Sequence, residues 1–379
     1  MSPGQRRAWA EIDRSAVQHN LREIRKHLQP SCRVMAVVKA DGYGHGAVDV
    51  AKAAVRAGAT WLGVATLEEG SALRRARIKA HILVLGPVGA SELPAAAKHK
   101  ISVTIGSPEF LEALLRLRRF PRAHIHLKID TGMTRLGIMA RDADQAISRL
   151  KEAGIPLQGC YTHLSSPDEP DRHYTEEQLA RFAPAIVTAR RAFPKILIHA
   201  ASSAAAIAYP AAHYDLVRIG IAMYGISPAQ HLQHKVGLRP VMRLKSHVVR
   251  VTHVSAGTAV GYGATFRPRT QTTIATVACG YADGYPRLAG AKGEVIIRDR
   301  RHPIVGRVSM DYLTVDVANA DVSVDDEVEL FGERISVDEV ASKAQTISYE
   351  VLTGIGPRVP RIYLPSTRSS RSSRSKAFS

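Results

Sequence analysis

The stretch VVKADGYGHG at residues 37–46 joins a predicted buried strand to a predicted helix. Apolar residues run from Val34 to Val38, as in a strand that is covered on both faces, and a helical pattern begins near Ala47. Lys39 therefore stands at the end of a strand. Desolvation there would disfavour the ammonium form and turn the amine into a nucleophile that forms a Schiff base with a carbonyl cofactor. The alternative is a strand-end lysine that extends its amine to solvent.

Apolar runs alternate with helical patterns through the first two thirds of the chain. The predicted strands cover residues 34–38, 61–66, 82–86, 101–105, 124–129, 157–163, 196–200 and 216–223. Helical patterns cover residues 15–28, 46–57, 67–77, 108–118, 142–152 and 175–192. Eight strands with helices between them predict an α/β fold, a (β/α)8 TIM-like barrel. A doubly wound sheet is the alternative, but the chain lacks the Gly-rich dinucleotide turn after its first strand.

The pattern changes near residue 237, where short β-branched segments separated by Gly, Asp and Pro begin. We therefore predict a barrel domain over residues 1–236 and a C-terminal, mostly β domain over residues 237–365. Residues 1–13 are expected to pair with the β domain. A Ser/Arg-rich tail, residues 366–379, is predicted to be disordered.

The composition excludes several classes of protein. The chain of 379 residues has a net charge of +18, but its basic residues are scattered and aromatic residues make up 6%, so we expect no specific nucleic-acid partner. No apolar run is long enough to span a membrane, and no signal peptide is recognisable, which favours a cytoplasmic protein. Three widely spaced cysteines, Cys32, Cys160 and Cys279, indicate neither disulfides nor a metal site; we expect them to be buried and to lie in strands.

Side chains that could take part in catalysis or binding lie at the ends of the predicted strands. They are Lys39, Lys128, Arg135, His163, Ser203 and Arg218. Because active sites of (β/α)8 barrels lie at the carboxyl ends of the strands, these residues predict one shared site. From residue types alone, a strand-end histidine is more often core, Ser203 is equally typical of a helix N-cap, and Arg218 could form a buried salt bridge with Asp215.

Six segments in the same order resemble the alanine racemase family. They are AVVKADGYGHG, HLKIDTGMTRLG, VRIGIAMYG, GYGATF, GYADGYPR and GRVSMDYLTVDV, and the resemblance spans roughly residues 8–364. It implies a pyridoxal-phosphate (PLP) enzyme that interconverts L- and D-alanine by a two-base mechanism, either for peptidoglycan synthesis or for alanine catabolism. The alternatives are a broader-specificity amino-acid racemase, a basic amino-acid decarboxylase, for which the surroundings of Cys279 do not match, and a non-catalytic PLP carrier, which the long β domain disfavours.

The resemblance also implies residue roles. Lys39 binds PLP covalently and acts as the base on D-alanine, while Tyr262 is the second base and comes from the partner in a homodimer with shared active sites. Arg218 donates to the pyridine nitrogen, because an arginine cannot accept a proton there, and His163 packs on the pyridine ring. The phosphate is bound by Tyr43, Ser203, Gly220 and Ile221.

The remaining implied roles concern the substrate and its access route. Arg135 and the backbone N–H of Met310 from the partner bind the carboxylate, and Lys128 is expected to carry a carbamate. The access route is lined by Asp168, Tyr281, Arg287, Arg307 and Asp311. Several relatives are expected to have a phosphate-contacting tyrosine where this chain has Pro357, so the sequence predicts that this hydroxyl is missing.

Overall fold

The structure, a computed structural model, describes residues 7–117 and 123–365. The predicted disordered tail, residues 366–379, lies outside the described residues. Up to residue 225 the chain forms, in order, β1 (Ala8–Asp13), α1 (Arg14–Arg25), β2 (Arg33–Val37), the short turn α2 (Lys39–Tyr43), α3 (Ala47–Arg56), β3 (Trp61–Val64), α4 (Leu67–Arg75), β4 (His81–Val84), α5 (Leu93–Lys98), β5 (Val103–Ile105), α6 (Pro108–Leu115), β6 (Ile125–Asp130), β7 (Ile138–Met139), α7 (Ala143–Glu152), β8 (Leu157–Tyr161), α8 (His173–Ala192), β9 (Leu197–His199), α9 (Ser203–Ala208) and β10 (Leu216–Ile219).

Eight of these strands close into a parallel barrel. The order β10-β2-β3-β4 forms one run and β5-β6-β8-β9 the other. A bridge between Leu83 and Ser102 joins β4 to β5. On the other side, the N–H of Arg218 donates to the carbonyl of Ala201 over 2.9 Å and joins β10 to the end of β9. The predicted (β/α)8 barrel is confirmed, and the carboxyl ends of its strands meet at one rim.

The rest of the chain forms a mostly antiparallel β domain. Its elements are β11 (Met242–Val254), β12 (Thr272–Val277), β13 (Glu294–Ile297), β14 (Arg300–Val305), β15 (Leu313–Asp316), β16 (Glu327–Phe331), α10 (Val337–Lys343), α11 (Ser348–Gly354) and β17 (Arg361–Leu364). The eight-stranded sheet has the order β12-β15-β14-β13-β16-β11-β1-β17. β1 therefore pairs with β11 and β17, which attaches the start of the chain to the C-terminal sheet.

Several predicted bounds were wrong. β8 ends at Tyr161 instead of residue 163, and β10 ends at Ile219 instead of residue 223, because a 3-10 turn over Ile221–Tyr224 follows Gly220. The strand Arg300–Val305 was not predicted, since its charged and proline residues face solvent and only three of its six side chains are buried. Helices α5, α9 and α11 were also missed; α9 and α11 carry residues of the candidate site described below.

The cysteines are buried and unpaired, as predicted. Only Cys160 lies in a strand, however. Cys32 precedes β2, and Cys279 follows β12, so the strand assignment of those two was wrong. Among the described residues, no helix is long and apolar enough to cross a membrane. The described residues also contain no group of three or more His, Cys, Asp or Glu side chains that could hold a metal ion.

Candidate active site

The backbone that follows Lys39 forms a left-handed turn. The φ angles of Ala40, Asp41, Gly42 and Tyr43 are 51°, 50°, 64° and 53°. This conformation costs a non-glycine residue about 1–2 kcal/mol, so the surroundings must enforce it. The carboxylate of Glu69 accepts a 2.8 Å hydrogen bond from the N–H of Ala40.

Two further hydrogen bonds hold this turn. The carboxylate of Asp41 accepts from the N–H of Ala47 at the start of α3 over 2.9 Å. Glu69 also accepts from the N–H of Ala65 over 2.7 Å, which ties the turn to the end of β3. Strain that is locked in by such contacts is typical of functional sites.

A cavity of about 750 Å³ opens at the carboxyl ends of the barrel strands. Ten of the residues predicted for the site line it: Lys39, Tyr43, Lys128, Arg135, His163, Asp168, Ser203, Gly220, Ile221 and Arg218. They come from the ends of five strands, β2, β6, β8, β9 and β10, or from the loops that follow them. A volume of this size suits a cofactor together with a small substrate.

The cavity concentrates positive charge around Lys39. Partial burial, and then the nearby Arg135, lower the pKa of the Lys39 amine, while Glu69 opposes them. Burial together with Arg218, Arg135 and Lys39 lowers the pKa of Lys128 to about 8, against the opposing effect of Asp130. Both amines are therefore neutral more often than exposed lysines would be.

The loop that carries Arg135 is ordered by one carboxylate. Oδ1 of Asp130, at the end of β6, accepts hydrogen bonds from the N–H groups of Gly132, Met133 and Thr134 over 2.9, 3.0 and 3.1 Å. These bonds turn the chain back toward the cavity directly before Arg135.

Arg218 is buried and has no carboxylate partner among the described residues. Its Nη2 donates to the carbonyl oxygens of Thr162 and Ala200 over 2.8 and 2.7 Å, and it lies 3.1 Å from Nδ1 of His163. Asp215, the alternative partner, is paired with Arg190 instead. Burial lowers the pKa of Arg218 to about 10, so the side chain remains a cation and a hydrogen-bond donor at neutral pH.

A chain of hydrogen bonds continues from Arg218 into the barrel. Nη1 of Arg218 lies 2.9 Å from Nδ1 of His199, and Nε2 of His199 lies 3.0 Å from Nδ1 of His126. Since a guanidinium can only donate, Nδ1 of His199 accepts and its proton sits on Nε2. By the same argument the proton of His126 sits on Nε2. Burial and Arg218 lower the pKa of His199 well below its usual range, which keeps the ring neutral.

One end of the cavity is a cradle of hydroxyl and amide groups. Oγ of Ser203 accepts hydrogen bonds from the N–H groups of Gly220 and Ala222 over 2.9 and 3.4 Å, which leaves its own proton available. The ring of Tyr43 stacks on Tyr224 with 4.7 Å between their centres. A Cβ atom on Gly220 would lie 2.7 Å from the hydroxyl of Tyr43, so only glycine fits this approach.

The sequence analysis missed one tyrosine of the cavity. Pro357 does not line the cavity, but Tyr349 of α11 does, and its ring lies 6.0 Å from that of Tyr43. Burial raises the pKa of Tyr349, and Tyr43 and Asp168 are the next causes. The cavity therefore has a further tyrosine beside Tyr43. The only sign of this tyrosine in the sequence was its place eight positions before Pro357.

Six predicted site residues lie on the β domain and do not line the cavity: Tyr262, Tyr281, Arg287, Arg307, Met310 and Asp311. Tyr262 is 70% exposed and Met310 is 53% exposed. Tyr262 and Arg307 line a separate depression of about 330 Å³. Asp311 is held by Nη2 of Arg358 over 2.9 Å.

Comparison with known proteins identifies this architecture. The family model described as alanine racemase, N-terminal domain, matches residues 12–228, and that of the C-terminal domain matches residues 241–363. The alanine racemase of Symbiobacterium thermophilum is 44% identical over 371 residues, which covers 95% of this chain and 98% of the relative. That of Desulforamulus reducens is 42% identical over 368 residues and covers 94% and 98%.

Solved structures give the same result. The biosynthetic alanine racemase from Pseudomonas aeruginosa has a TM-score of 0.88 and 38% identity, covering 95% of this chain and all of that chain. The alanine racemase from D-cycloserine-producing Streptomyces lavendulae has a TM-score of 0.88 and 36% identity, covering 96% and 98%.

Proposed function

This chain belongs to the alanine racemase family, and we propose that it interconverts L- and D-alanine with Lys39 of one chain and Tyr262 of a second chain as its two proton-transfer groups. Members of the family are PLP-dependent isomerases, and so is this chain. PLP supplies an electron sink that makes the proton on the α-carbon of an amino acid removable.

The residues of the barrel cavity fit this cofactor. Lys39 offers an amine with a lowered pKa, and the cradle at the other end of the cavity offers the hydroxyls of Ser203 and Tyr43 and the N–H groups around Gly220. These are the donors that a phosphate requires. Ile221 follows Gly220 and would add its own backbone N–H. Arg218 lies in the same cavity and would donate to the pyridine nitrogen.

The observation that carries the proposal is the state of Arg218. A cation that is hydrogen-bonded to a neutral histidine cannot hold a proton on the ring nitrogen of the cofactor, whereas a carboxylate could. With Arg218 as its donor, PLP would be a weaker electron sink than it would be with a carboxylate. Return of the proton to the α-carbon would then be favoured over transamination and decarboxylation.

Lys39 and Tyr262 would act on opposite faces of the α-carbon. Burial lowers the pKa of Lys39, which favours the neutral amine, and its Nζ would take a proton from D-alanine and return it in the reverse direction. A racemase needs a second group on the other face, and among the family motifs the sequence GYGATF offers Tyr262. Tyr262 would take the proton from L-alanine. His163, next to Arg218, is the group expected to face its hydroxyl.

Tyr262 would reach the cavity only from a second copy of the chain. In its own chain it is 70% exposed and lines a depression on the β domain. Exposed apolar residues accompany it on this domain, namely Tyr281, Leu288, Met310 and Tyr312. A homodimer that buries this surface against the cavity of its partner would complete two shared active sites and explain the exposed residues.

Substrate binding and access would be divided between the two chains. Arg135, on the loop that Asp130 orders, would bind the carboxylate together with the backbone N–H of Met310 from the partner subunit. Asp168 would line the access route from the barrel side. Tyr281, Arg287, Arg307 and Asp311 would line it from the β domain of the partner.

We also propose that Lys128 carries a carbamate. With a pKa of about 8, roughly one amine in ten is neutral at pH 7. The neutral nitrogen attacks the carbon of CO2, a C–N bond forms, and one proton leaves to solvent. The product is an anion that Arg135 can hold by charge-assisted hydrogen bonds, and it relieves the repulsion among Lys39, Lys128, Arg135 and Arg218.

The cellular role would be the supply of D-alanine for peptidoglycan, or its catabolism. The three buried, unpaired thiols support a reducing, cytoplasmic location. Growth of a D-alanine auxotroph that expresses this chain, without added D-alanine, tests the supply role, and cell fractionation tests the location.

The chemical assignment is tested by reductive trapping. Borohydride treatment of the purified protein should attach the cofactor to Lys39, and the protein should racemise alanine faster than other common amino acids. Trapping on another lysine in the Lys39→Ala variant would contradict the role of Lys39. Equal rates with several amino acids would favour a broader-specificity racemase.

A further inference from the structure

A second cavity, of about 640 Å³, lies at the opposite end of the barrel, where the strands begin. We call it the basal cavity and define it by Arg33, Trp61, His81, Gln158 and Lys195. Among the described residues its lining contains five basic side chains and no carboxylate: Arg33, His81, His124, Lys151 and Lys195. The family roles described above make no use of this cavity.

The positive charge of the basal cavity is not neutralised by ion pairs. Arg33, Lys151 and Lys195 form none within residues 7–117 and 123–365. Nζ of Lys151 instead lies 5.4 Å from the centre of the Phe193 ring. Burial, followed by the charges of Arg74, His124 and Arg33, lowers the pKa of His81, so these groups are close enough to repel one another.

The carboxylate of Asp215, at the same end of the barrel, is committed elsewhere. Asp215 precedes β10, and its backbone carbonyl accepts from the N–H of Arg33 over 3.0 Å. Its carboxylate accepts from the N–H of Ile198 over 2.8 Å and from the exposed Arg190 over 3.2 Å. It is therefore already paired and cannot balance the lining.

The floor of the basal cavity offers hydrogen-bond donors without acceptors. Nε1 of Trp61 is buried and has no partner among the described residues. Oε1 of Gln158 accepts from the hydroxyl of Ser102 over 2.7 Å, which leaves the amide N–H groups of Gln158 as donors. Because Nε1 of Trp61 is covered by its neighbours, the amide of Gln158 is the donor that this pair presents to the cavity.

The histidine chain ends behind Trp61, at His126, which does not line the basal cavity. The His126 ring meets the Trp61 ring edge to face, with 5.2 Å between centres, and its Nε2 also lacks a partner at hydrogen-bonding geometry. Arg218 donates to His199 and His199 donates to Nδ1 of His126, so the proton of His126 lies on Nε2. Burial lowers the pKa of His126, and a side-chain hydrogen bond with Gln158 opposes this effect, so the Gln158 side chain lies close to the His126 ring.

We propose that the basal cavity binds a small polyanion of the phosphate-ester or polycarboxylate type. The guanidinium of Arg33 can bind two anion oxygens side by side. Lys151 and Lys195 supply further positive charge, and the amide of Gln158 can donate to oxygens that reach the floor. The cavity is too large for a single water-sized anion and suits a ligand of several oxyanion groups.

Calorimetric titration of the holoenzyme with inorganic pyrophosphate and, separately, with citrate tests the proposal at constant ionic strength. The holoenzyme is used because its phosphate cradle near Ser203 is already filled. We expect saturable binding of one ligand per chain by at least one probe below about 10 mM. Binding of pyrophosphate alone assigns a phosphate-ester ligand, and binding of citrate alone assigns a polycarboxylate. Absence of saturable binding by both probes overturns the proposal.

Two matched double variants separate a built site from general attraction to a basic protein. Arg33→Ala with Lys195→Ala should weaken binding about tenfold or more. Lys52→Ala with Arg56→Ala removes the same charge from the exposed face of α3 and should leave the dissociation constant within about twofold. Equal weakening by both pairs would contradict the proposal. In the wild-type protein, bound ligand should raise the pKa of His81 in an NMR titration; an unchanged pKa would also contradict it.

Discussion

Arg218 donates a 2.9 Å hydrogen bond to Nδ1 of a neutral His199, and no carboxylate among the described residues contacts its guanidinium. The two side chains come from β10 and β9, which are neighbours in the barrel, and Nη2 contacts the backbone carbonyls of Thr162 and Ala200 and Nδ1 of His163. Within the described residues, this buried cation is held by neutral acceptors. Under the proposed function, the arrangement would keep Arg218 a donor at the pyridine nitrogen and so favour racemisation over other PLP chemistries.

Replacing Arg218 by lysine should reduce both stability and activity. Lysine keeps the charge but places its donors on one nitrogen, so it cannot reach His199, Thr162 and Ala200 together. We expect the free energy of unfolding to fall by about 1–3 kcal/mol and racemisation to fall with it. Arg190→Lys, which affects an exposed ion pair with Asp215, is the control and should cost less than about 1 kcal/mol. Equal losses in the two variants, measured by urea unfolding, would contradict this account.

Replacing Gly220 by alanine should weaken cofactor binding. The new Cβ would lie 2.7 Å from the hydroxyl of Tyr43, whose ring is buried and stacked on Tyr224 and cannot move freely. We expect the dissociation constant for PLP to rise about tenfold.

A double variant identifies the cause of that loss. Adding Tyr43→Phe to Gly220→Ala removes the clashing oxygen, so the two substitutions together should cost less than the sum of their separate effects. Strictly additive losses in a PLP titration would show that Gly220 acts without Tyr43.

The barrel could be predicted from sequence because its strands are continuous apolar runs, such as Val34–Val38 before Lys39. That Lys39, Lys128 and Arg218 would lie in one cavity could also be predicted, since parallel strands of a barrel bring their carboxyl ends together. The left-handed turn at Ala40, Asp41 and Tyr43 could not be predicted, because Ala and Tyr rarely adopt positive φ and a single Asp does not indicate a run of such residues. The turn depends on Glu69, which lies about thirty residues away and reaches it only in the folded barrel.

Tyr349 was missed for a related reason. It lies on α11, far from the barrel in sequence, and it reaches the cavity because α11 packs beside α2. The histidine chain from Arg218 to His126 was equally hidden: His126 and His199 belong to strands that are not adjacent, and their hydrogen bond crosses the barrel interior.

The carbamate on Lys128 should be visible by 13C NMR in bicarbonate labelled with 13C. We expect one protein resonance that disappears in Lys128→Met and persists in Lys151→Met, which replaces an exposed lysine. Because only the neutral amine reacts, and protonation removes it below the pKa of about 8, the signal should decrease as the pH falls from 8 to 6. A resonance unaffected by Lys128→Met would contradict the assignment.

Mixed dimers should recover activity if the active sites are shared. Lys39→Ala and Tyr262→Phe chains should each be nearly inactive alone. In a mixed dimer, one site combines Lys39 from one chain with Tyr262 from the other, so up to about half of the mixed dimer's sites are intact. We expect activity to return after subunit exchange, monitored with two affinity tags. Verified exchange without recovery would place both residues in sites formed by a single chain.

The central claim, that Lys39 and Tyr262 serve opposite faces of the substrate, is tested most directly by solvent-deuterium exchange in the Tyr262→Phe variant. Phenylalanine keeps the ring and removes only the acid–base oxygen. Racemisation should fall by at least about 100-fold, while exchange of deuterium into D-alanine should survive better than exchange into L-alanine, because Lys39 still serves the D face. An equal fall of both exchanges, with PLP still bound, would contradict the two-base account and favour a single base. Unchanged exchange of both enantiomers would show that Tyr262 takes no part in proton transfer.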